Sequence, residues 1–157
     1  MTDENTKQAA QEYLAAKLVE EEQANEEKLN RSAAVACAPQ VWKSLKEAVF
    51  AQCTEWNSVT QEQTLTCRET PLGDFRVWCT AKSQQMTLHY DVKNLLITVK
   101  NTARPEHEKD IILRIEGYDT GSSREARLMR NDQSVNLPMF ILAELRVLAG
   151  MSRQRNA

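Results

Sequence analysis

The spacing of apolar residues predicts a long polar helix at the front of the chain. Residues 3–35 are rich in Ala, Glu, Gln, Lys and Leu and contain neither Gly nor Pro. Apolar positions are sparse, and between Glu20 and Asn30 only Ala24 and Leu29 are apolar. Such a helix cannot bury much by itself. Apolar residues do not repeat in a sustained heptad pattern, so a coiled coil is the less favoured interpretation of this helix. The helix is expected to project, to fray or to pair with a copy of itself.

A second helix is predicted from about Pro39 to Trp56. Ala38-Pro39 has the pattern of a helix restart, because proline is well tolerated in a first helical turn. After it, apolar residues recur every three or four positions and form one continuous face. These residues are Val41, Trp42, Leu45, Ala48, Val49, Cys53 and Trp56. The second helix should therefore pack against the rest of the domain.

After the second predicted helix, apolar residues recur at every second position, which predicts β-strands. The predicted strands are Thr64–Arg68, Phe75–Thr80, Met86–Val92, Leu95–Lys100, Ile111–Glu116 and a weaker Ala126–Arg130. Turn sequences separate them at Pro71–Asp74 and Lys93-Asn94. Alternation with short turns indicates antiparallel pairing with one face in contact with water.

The last helix is predicted to begin near Asn136, to hold Pro138 in its first turn and to end at Gly150. It is the most apolar element and should pack across the inner sheet face. The predicted fold class is therefore α+β: an antiparallel sheet of five to six strands, with N-terminal helices and a C-terminal helix packed on one face. The predicted organisation is a charged helix over 1–36, a core domain over 37–151 and a flexible basic tail over 152–157.

Charge is distributed unevenly along the chain. The formal net charge is −2. Residues 1–36 carry 4 basic and 8 acidic side chains, whereas residues 37–157 carry 16 basic and 14 acidic ones. The acidity therefore belongs to the first helix, and the body behind it is mildly basic. This balance does not by itself predict a polyanionic partner.

The first residues, Met1 to Asn5, are acidic and polar and do not form a secretory signal. The longest apolar run, around Met139 to Leu142, is too short to cross a bilayer. The sequence therefore predicts a cytoplasmic protein without a membrane span.

Four cysteines occur at spacings that match no zinc template: Cys37, Cys53, Cys67 and Cys79. We expect them to act as small buried hydrophobes. Phosphate-binding glycine loops and paired metal-ligating histidines are also missing from the sequence. No metal and no cofactor is predicted.

The segment Asp119-Thr120-Gly121-Ser122-Ser123 resembles the active-site loop of aspartic proteases. That chemistry needs two such aspartates sharing a proton, so one copy would require a homodimer. The context differs as well, because only 34 residues follow Ser123 and many of them are predicted to be helical. We interpret the segment as a polar turn between two strands.

Nucleophilic triads need a histidine, and the chain has only His89 and His107. His107 lies between Glu106 and Glu108 in a polar loop, where a solvated role is expected. The alternation of side chains along each strand predicts His89 on the outer sheet face and Cys67 and Cys79 on the inner face. No catalytic residue is therefore assigned, and the chain is interpreted as a protein without enzymatic activity.

The outer face of the predicted sheet combines one tryptophan with several cations. Its candidate ligand-binding residues are Arg76, Trp78, His89, Lys100, Arg114 and Arg127. Exposed aromatics among cations are how some sheets hold anionic or nucleic-acid ligands. RNA-binding sheets usually show two or three aromatics, so a merely solvated face is the simpler interpretation.

The favoured function is a non-enzymatic binding or adaptor domain that works through protein contacts, as a homodimer or with a protein partner, through residues 1–36. The first alternative is a sheet face that binds an anionic ligand: a lipid headgroup, a nucleotide or single-stranded nucleic acid. The second alternative is a small hydrolase that uses Asp119 or His89.

Overall fold

A 59-residue helix precedes a run of short strands and a shorter closing helix. The computed structural model describes residues 2–108 and 110–151. The elements are α1 (Thr2–Thr60), β1 (Leu65–Glu69), β2 (Phe75–Cys79), β3 (Gln84–Asp91), β4 (Leu96–Asn101), β5 (Asp110–Asp119), β6 (Arg124–Arg130), β7 (Gln133–Ser134) and α2 (Leu137–Leu148). Single 3₁₀ turns lie at Thr80–Lys82 and Glu106–Glu108. The predicted basic tail 152–157 lies outside the described residues.

The strands form one antiparallel meander in chain order, from β1 to β7. The α+β class is therefore confirmed, with one strand more than the upper prediction. The additional strand, β7, pairs Gln133 with Arg130 and Ser134 with Met129. Its two residues are too few and too polar to produce an alternating pattern, which explains why periodicity did not predict it.

The two predicted N-terminal helices are one helix, so the predicted restart at Ala38-Pro39 is wrong. Pro39 lies inside α1. A proline removes the hydrogen bond to the carbonyl four residues earlier, which here belongs to Val35. Both Val35 and Pro39 are exposed, so water can hydrate that carbonyl. Packing of the flanking turns on the sheet then keeps the helix continuous. The predicted division of the chain at residue 36 falls within this helix and stays a prediction.

The core lies between the inner sheet face and both helices. From α1 it takes residues spaced three or four apart: Ala34, Ala38, Trp42, Leu45, Val49 and Cys53. From α2 it takes Ile141, Leu145 and Leu148. Alternate strand residues complete it: Leu65, Phe75, Val77, Cys79, Met86, Leu88, Ile97, Val99, Ile111, Leu113, Ile115 and Leu128. The period-two pattern therefore placed the inner face correctly. In the described part of the chain, no helix has the length and apolarity needed to cross a membrane.

Local capping chemistry fixes both ends of α2. The Asn136 side chain accepts a hydrogen bond from the Met139 amide at 3.3 Å. At the other end Gly150 has φ +78°, a conformation that favours glycine. The Met151 amide donates to the Arg146 carbonyl, and the Gly150 amide donates to the Val147 carbonyl. This is the Schellman arrangement, and it ends the helix where the sequence predicted.

A buried polar cluster fastens α2 to the loop after β4. Glu144 is 1% exposed and forms an ion pair with Arg104. The Arg104 Nε atom donates to Glu144 Oε1 at 3.1 Å. Asn101, also buried, donates from its amide group to the Glu144 carbonyl and accepts from the Ala103 amide. The cluster therefore joins the helix to the sheet through charge-assisted hydrogen bonds.

The backbones of α1 and β5 lie very close together at Gly117. A Cβ atom built on this glycine would lie 2.0 Å from the backbone oxygen of Asn30. Only a residue without a side chain permits the helix to cross the strand at this distance.

We expect Gly117→Ala to lower the free energy of unfolding by about 1–3 kcal/mol, because the helix backbone must move away from the strand. Chemical denaturation monitored by circular dichroism measures the loss. Gly121→Ala is the control: in the described part of the chain no atom beyond its two neighbours lies within 4 Å of its Cβ position, although its φ of +94° adds a conformational cost. A loss no larger in Gly117→Ala than in Gly121→Ala would contradict the close approach.

Candidate functional site

The outer face of the sheet carries neither helix, because α1 and α2 both pack on the inner face. Strand pairing arranges its side chains in rows that run across the strands. One row, which we call the aromatic row, places Trp78 between Thr66 and Gln85. The next, which we call the cationic row, consists of Arg68, Arg76, Thr87 and Lys100. The two rows are two residues apart along each strand, about 7 Å.

The cationic row holds three positive charges around one threonine. Arg76 pairs in register with Arg68 on one side and with Thr87 on the other, and Thr87 pairs with Lys100. Like charges directly opposite each other destabilise a sheet. Within the described residues, the buried Nε atoms of Arg76 and of Arg127, which lies outside this row, have no hydrogen-bond partner. Arg68 stacks over Trp78, with its guanidinium carbon 5.3 Å from the ring centroid. Beyond Lys100 the row reaches the exposed Asp110 of β5, so the uncompensated like-charge contact is the one between Arg68 and Arg76, and an anion would remove its cost.

A pocket of about 390 Å³ adjoins the aromatic row. Its lining combines an indole with hydroxyl and amide groups: Trp78, Cys79, Thr80, Ser83, Gln84, Gln85 and Thr102. Thr102 Oγ1 accepts a hydrogen bond from the Gln85 amide at 2.9 Å. Ser83 adopts φ +52°, an uncommon conformation for a residue with a side chain. The lining therefore offers an aromatic surface and uncharged polar groups beside the cationic row.

His89 lies one row further along β3 and does not line this pocket. Its Nδ1 atom is 2.6 Å from Asp74 Oδ1, and its side chain is 58% exposed. It pairs in register with Thr98. Exposed ion pairs of this kind contribute little to stability. His107 is also exposed and lies 3.7 Å from Glu108.

Arg114 and Arg127 lie closer to the β6 side of the sheet. Arg114 donates to Glu116 at 2.7 Å. The guanidinium group of Arg127 stacks on Tyr118 with 4.6 Å between its central carbon and the ring centroid. Of the six predicted candidates, the structure therefore groups Arg76, Trp78 and Lys100.

Arg68 joins this group and was missing from the sequence prediction. The signal for it was present, since the neighbouring Cys67 was predicted to face inward. Strand alternation then turns Arg68 outward.

The segment from Asp119 to Ser123 connects β5 and β6, as the turn prediction expected. Asp119 Oδ1 accepts a hydrogen bond from the Gly121 amide at 2.8 Å. The Thr120 amide donates to the Ser123 carbonyl at 2.9 Å. These bonds use the aspartate to order the turn, as Asx-turns do.

The four cysteines are free thiols: Cys53 and Cys79 are buried, and Cys37 and Cys67 are partly buried. Cys53 and Cys67 form a hydrogen bond with each other, which together with burial raises the pKa of Cys53. Across residues 2–108 and 110–151, no group of three His, Cys, Asp or Glu residues could hold a metal ion.

The front of α1 extends away from the body of the protein. We call residues 3–29 the arm, and every one of these residues is exposed. At a rise of about 1.5 Å per residue the arm is about 40 Å long. Its outer part, residues 9–19, which we call the tip segment, contains four large exposed hydrophobic residues. They are Tyr13, Leu14, Leu18 and Val19, between 51% and 68% exposed.

Hydrogen bonds fix the direction in which the arm leaves the body. Arg124, the first residue of β6, donates to both carboxylate oxygens of Glu26 at 3.0 Å and to the Asn30 side chain at 2.6 Å. Arg31 donates to the Lys93 carbonyl in the turn between β3 and β4. A bidentate arginine–carboxylate pair has a defined geometry. The arm is therefore attached at a fixed root, residues 26–31.

Lowering the pH should weaken the hydrogen bonds that hold residues 26–31 in place. The hydrogen bonds from Arg124 lower the pKa of Glu26 below its ordinary value of 4.5. A depressed pKa in the folded state contributes stability above the ordinary value, and this contribution is lost as the pH falls through the folded-state pKa. We expect the Glu26 carboxyl carbon to titrate below pH 4.5 by NMR, and Arg124→Gln to return it to the usual range. The same Glu26 titration midpoint in the unaltered chain and in Arg124→Gln would contradict the pairing.

Searches against known proteins do not extend this description. No protein-family model, no curated protein and no solved structure matches the chain. Functional inference therefore depends on the arm and on the outer sheet face themselves.

Proposed function

We propose that this chain is a binding domain that acts through protein contacts, and that two copies associate through the tip segment. The observation that carries the proposal is the exposure of Tyr13, Leu14, Leu18 and Val19 within seven residues of one helix. A helix that is apolar around much of its circumference is normally buried. Contiguous exposed apolar surface of this kind marks interaction sites.

The charges on the arm favour an antiparallel arrangement of the two copies. The stretch 20–27 contains Glu20, Glu21, Glu22, Glu26 and Glu27. A parallel pair would bring these carboxylates side by side, which is unfavourable for like charges. An antiparallel pair that crosses at the tip segments keeps the two acidic stretches apart. The tip segments then bury their apolar side chains against each other.

The structure indicates where the chain can be shortened to test this proposal. Residues 26–31 form the root, and Ala34 belongs to the core, so removal of the whole predicted segment 1–36 would damage the body. Removal of residues 1–25 leaves both intact. We expect the full chain to sediment at twice its 17.9 kDa mass and the shortened chain to sediment as a monomer. If the full chain and the shortened chain sediment with the same number of copies, the proposal is contradicted.

A second candidate function is the binding of an anionic ligand on the outer sheet face. The observation that favours it is the cationic row, in which Arg68 and Arg76 lie directly opposite each other and Lys100 follows beyond Thr87. Like charges directly opposite each other cost free energy that an anionic ligand would recover. Binding of inorganic phosphate or sulfate that weakens with added salt would support this candidate.

A further inference from the structure

We propose that the outer sheet face binds a nucleoside monophosphate, with the ring in the pocket beside Trp78 and the phosphate over Thr87. This inference rests on the second candidate function, the anion-binding face, and specifies its ligand. The evidence for this inference is the aromatic row and the cationic row, which are neighbours on the sheet.

The phosphate position follows from the cationic row. Thr87 has Arg76 opposite it on one neighbouring strand and Lys100 opposite it on the other. An anion above Thr87 would accept hydrogen bonds from a guanidinium on one side and an ammonium on the other, with the threonine hydroxyl below. Arginine is suited to bidentate contact with phosphate, and lysine acts as a point charge.

The ring position follows from the aromatic row. Gln85 lies two residues from Thr87 on β3 and pairs with Trp78 on β2. Both residues line the pocket, together with Thr80, Ser83 and Gln84. Nucleobases stack on aromatic side chains. The amides and hydroxyls would provide donors and acceptors for the edge of a base or for sugar hydroxyls.

The spacing joins the two positions into one site. Two residues along a strand span about 7 Å, which suits the separation between the base and the phosphate of a single nucleotide. Inorganic phosphate would use only the cationic row, and a nucleoside only the pocket. A nucleoside monophosphate uses both, so it should bind more tightly than either fragment.

Isothermal titration calorimetry on the full chain tests this inference with four probes: adenosine 5′-monophosphate, adenosine, ribose 5-phosphate and inorganic phosphate. We expect the nucleotide to bind most tightly. Arg76→Gln and Lys100→Gln should each weaken its binding by about 10-fold or more, because each removes a charge-assisted contact. Arg130→Gln is the control, since it makes the same change at an exposed arginine at the end of β6, outside the cationic row, and it should leave the Kd unchanged. Thermal unfolding checks that each variant is folded.

An NMR readout locates the ring independently of affinity. The indole N–H resonance of Trp78, assigned with Trp78→Phe, should shift on addition of the nucleotide. The indole resonances of Trp42 and Trp56, which belong to the inner side of the fold, should not shift. An unchanged Trp78 resonance, or equal weakening by Arg130→Gln, would overturn the inference.

The remaining outcomes separate this inference from the function on which it rests. Inorganic phosphate binding as tightly as the nucleotide would overturn the nucleotide site and leave the anion-binding face supported. Failure of all four probes to bind saturably would overturn both.

Discussion

Arg104→Ala is expected to lower the free energy of unfolding by about 3–5 kcal/mol, the range for removing one partner of a buried ion pair. The carboxylate of Glu144 is 1% exposed and would lose its only cationic partner among the described contacts. Water cannot replace the guanidinium without opening the space between α2 and the loop after β4. The unpaired buried charge on Glu144 therefore destabilises the packing of α2 against the sheet. The core around Leu145 is destabilised with it. Equilibrium unfolding in urea measures the effect.

Two variants make this prediction specific. Arg130→Ala removes an exposed arginine at the end of β6 and should change stability by no more than about 0.5 kcal/mol. Arg104→Met combined with Glu144→Leu replaces the pair by apolar side chains and should recover most of the lost stability. A loss below about 1 kcal/mol in Arg104→Ala would show that the pair does not hold α2 in place.

Leu14→Glu combined with Leu18→Glu should abolish self-association without destabilising the body. The two positions are four residues apart, so their side chains lie on one side of the helix. Burying each leucine at an interface is worth about 1.5–3 kcal/mol, so losing both weakens association by about 100-fold or more. The added carboxylates also repel the acidic arm of the second copy. Because both leucines are exposed in the single chain, its thermal unfolding should be unchanged.

The sequence was most informative where structure depends on local chemistry. Asn136 and Gly150 fixed the ends of α2 because caps satisfy nearby backbone groups. Alternation located six strands because one sheet face is buried. Continuity of α1 through Pro39 was not predictable in this way, since it depends on the packing of the turns on either side. The two-residue β7 depends on its pairing with β6 and has no pattern of its own.

The candidate site was only partly predictable, because its rows depend on register. Alternation placed Arg76, Trp78 and Lys100 on the outer face. Which cations become neighbours depends on how each strand is aligned with the next, and turn geometry sets that alignment. The turn between β3 and β4 includes Leu95 at φ +55°, which the sequence does not indicate. Only the structure therefore shows which cations group around Thr87, and that Arg114 and Arg127 do not belong to that group.

The central claim, that the tip segment joins two copies of the chain, is tested most directly by sedimentation equilibrium of three full-length proteins over a range of concentrations. The first is the unaltered chain, and the second carries Leu14→Glu and Leu18→Glu. The third carries Asn5→Asp and Gln23→Glu, which add the same charge to exposed arm positions outside the tip segment, on the other side of the helix, and keep both leucines. We predict dimers for the first and third and a monomer for the second. A monomer in all three, or a dimer that survives the leucine changes, would contradict the claim.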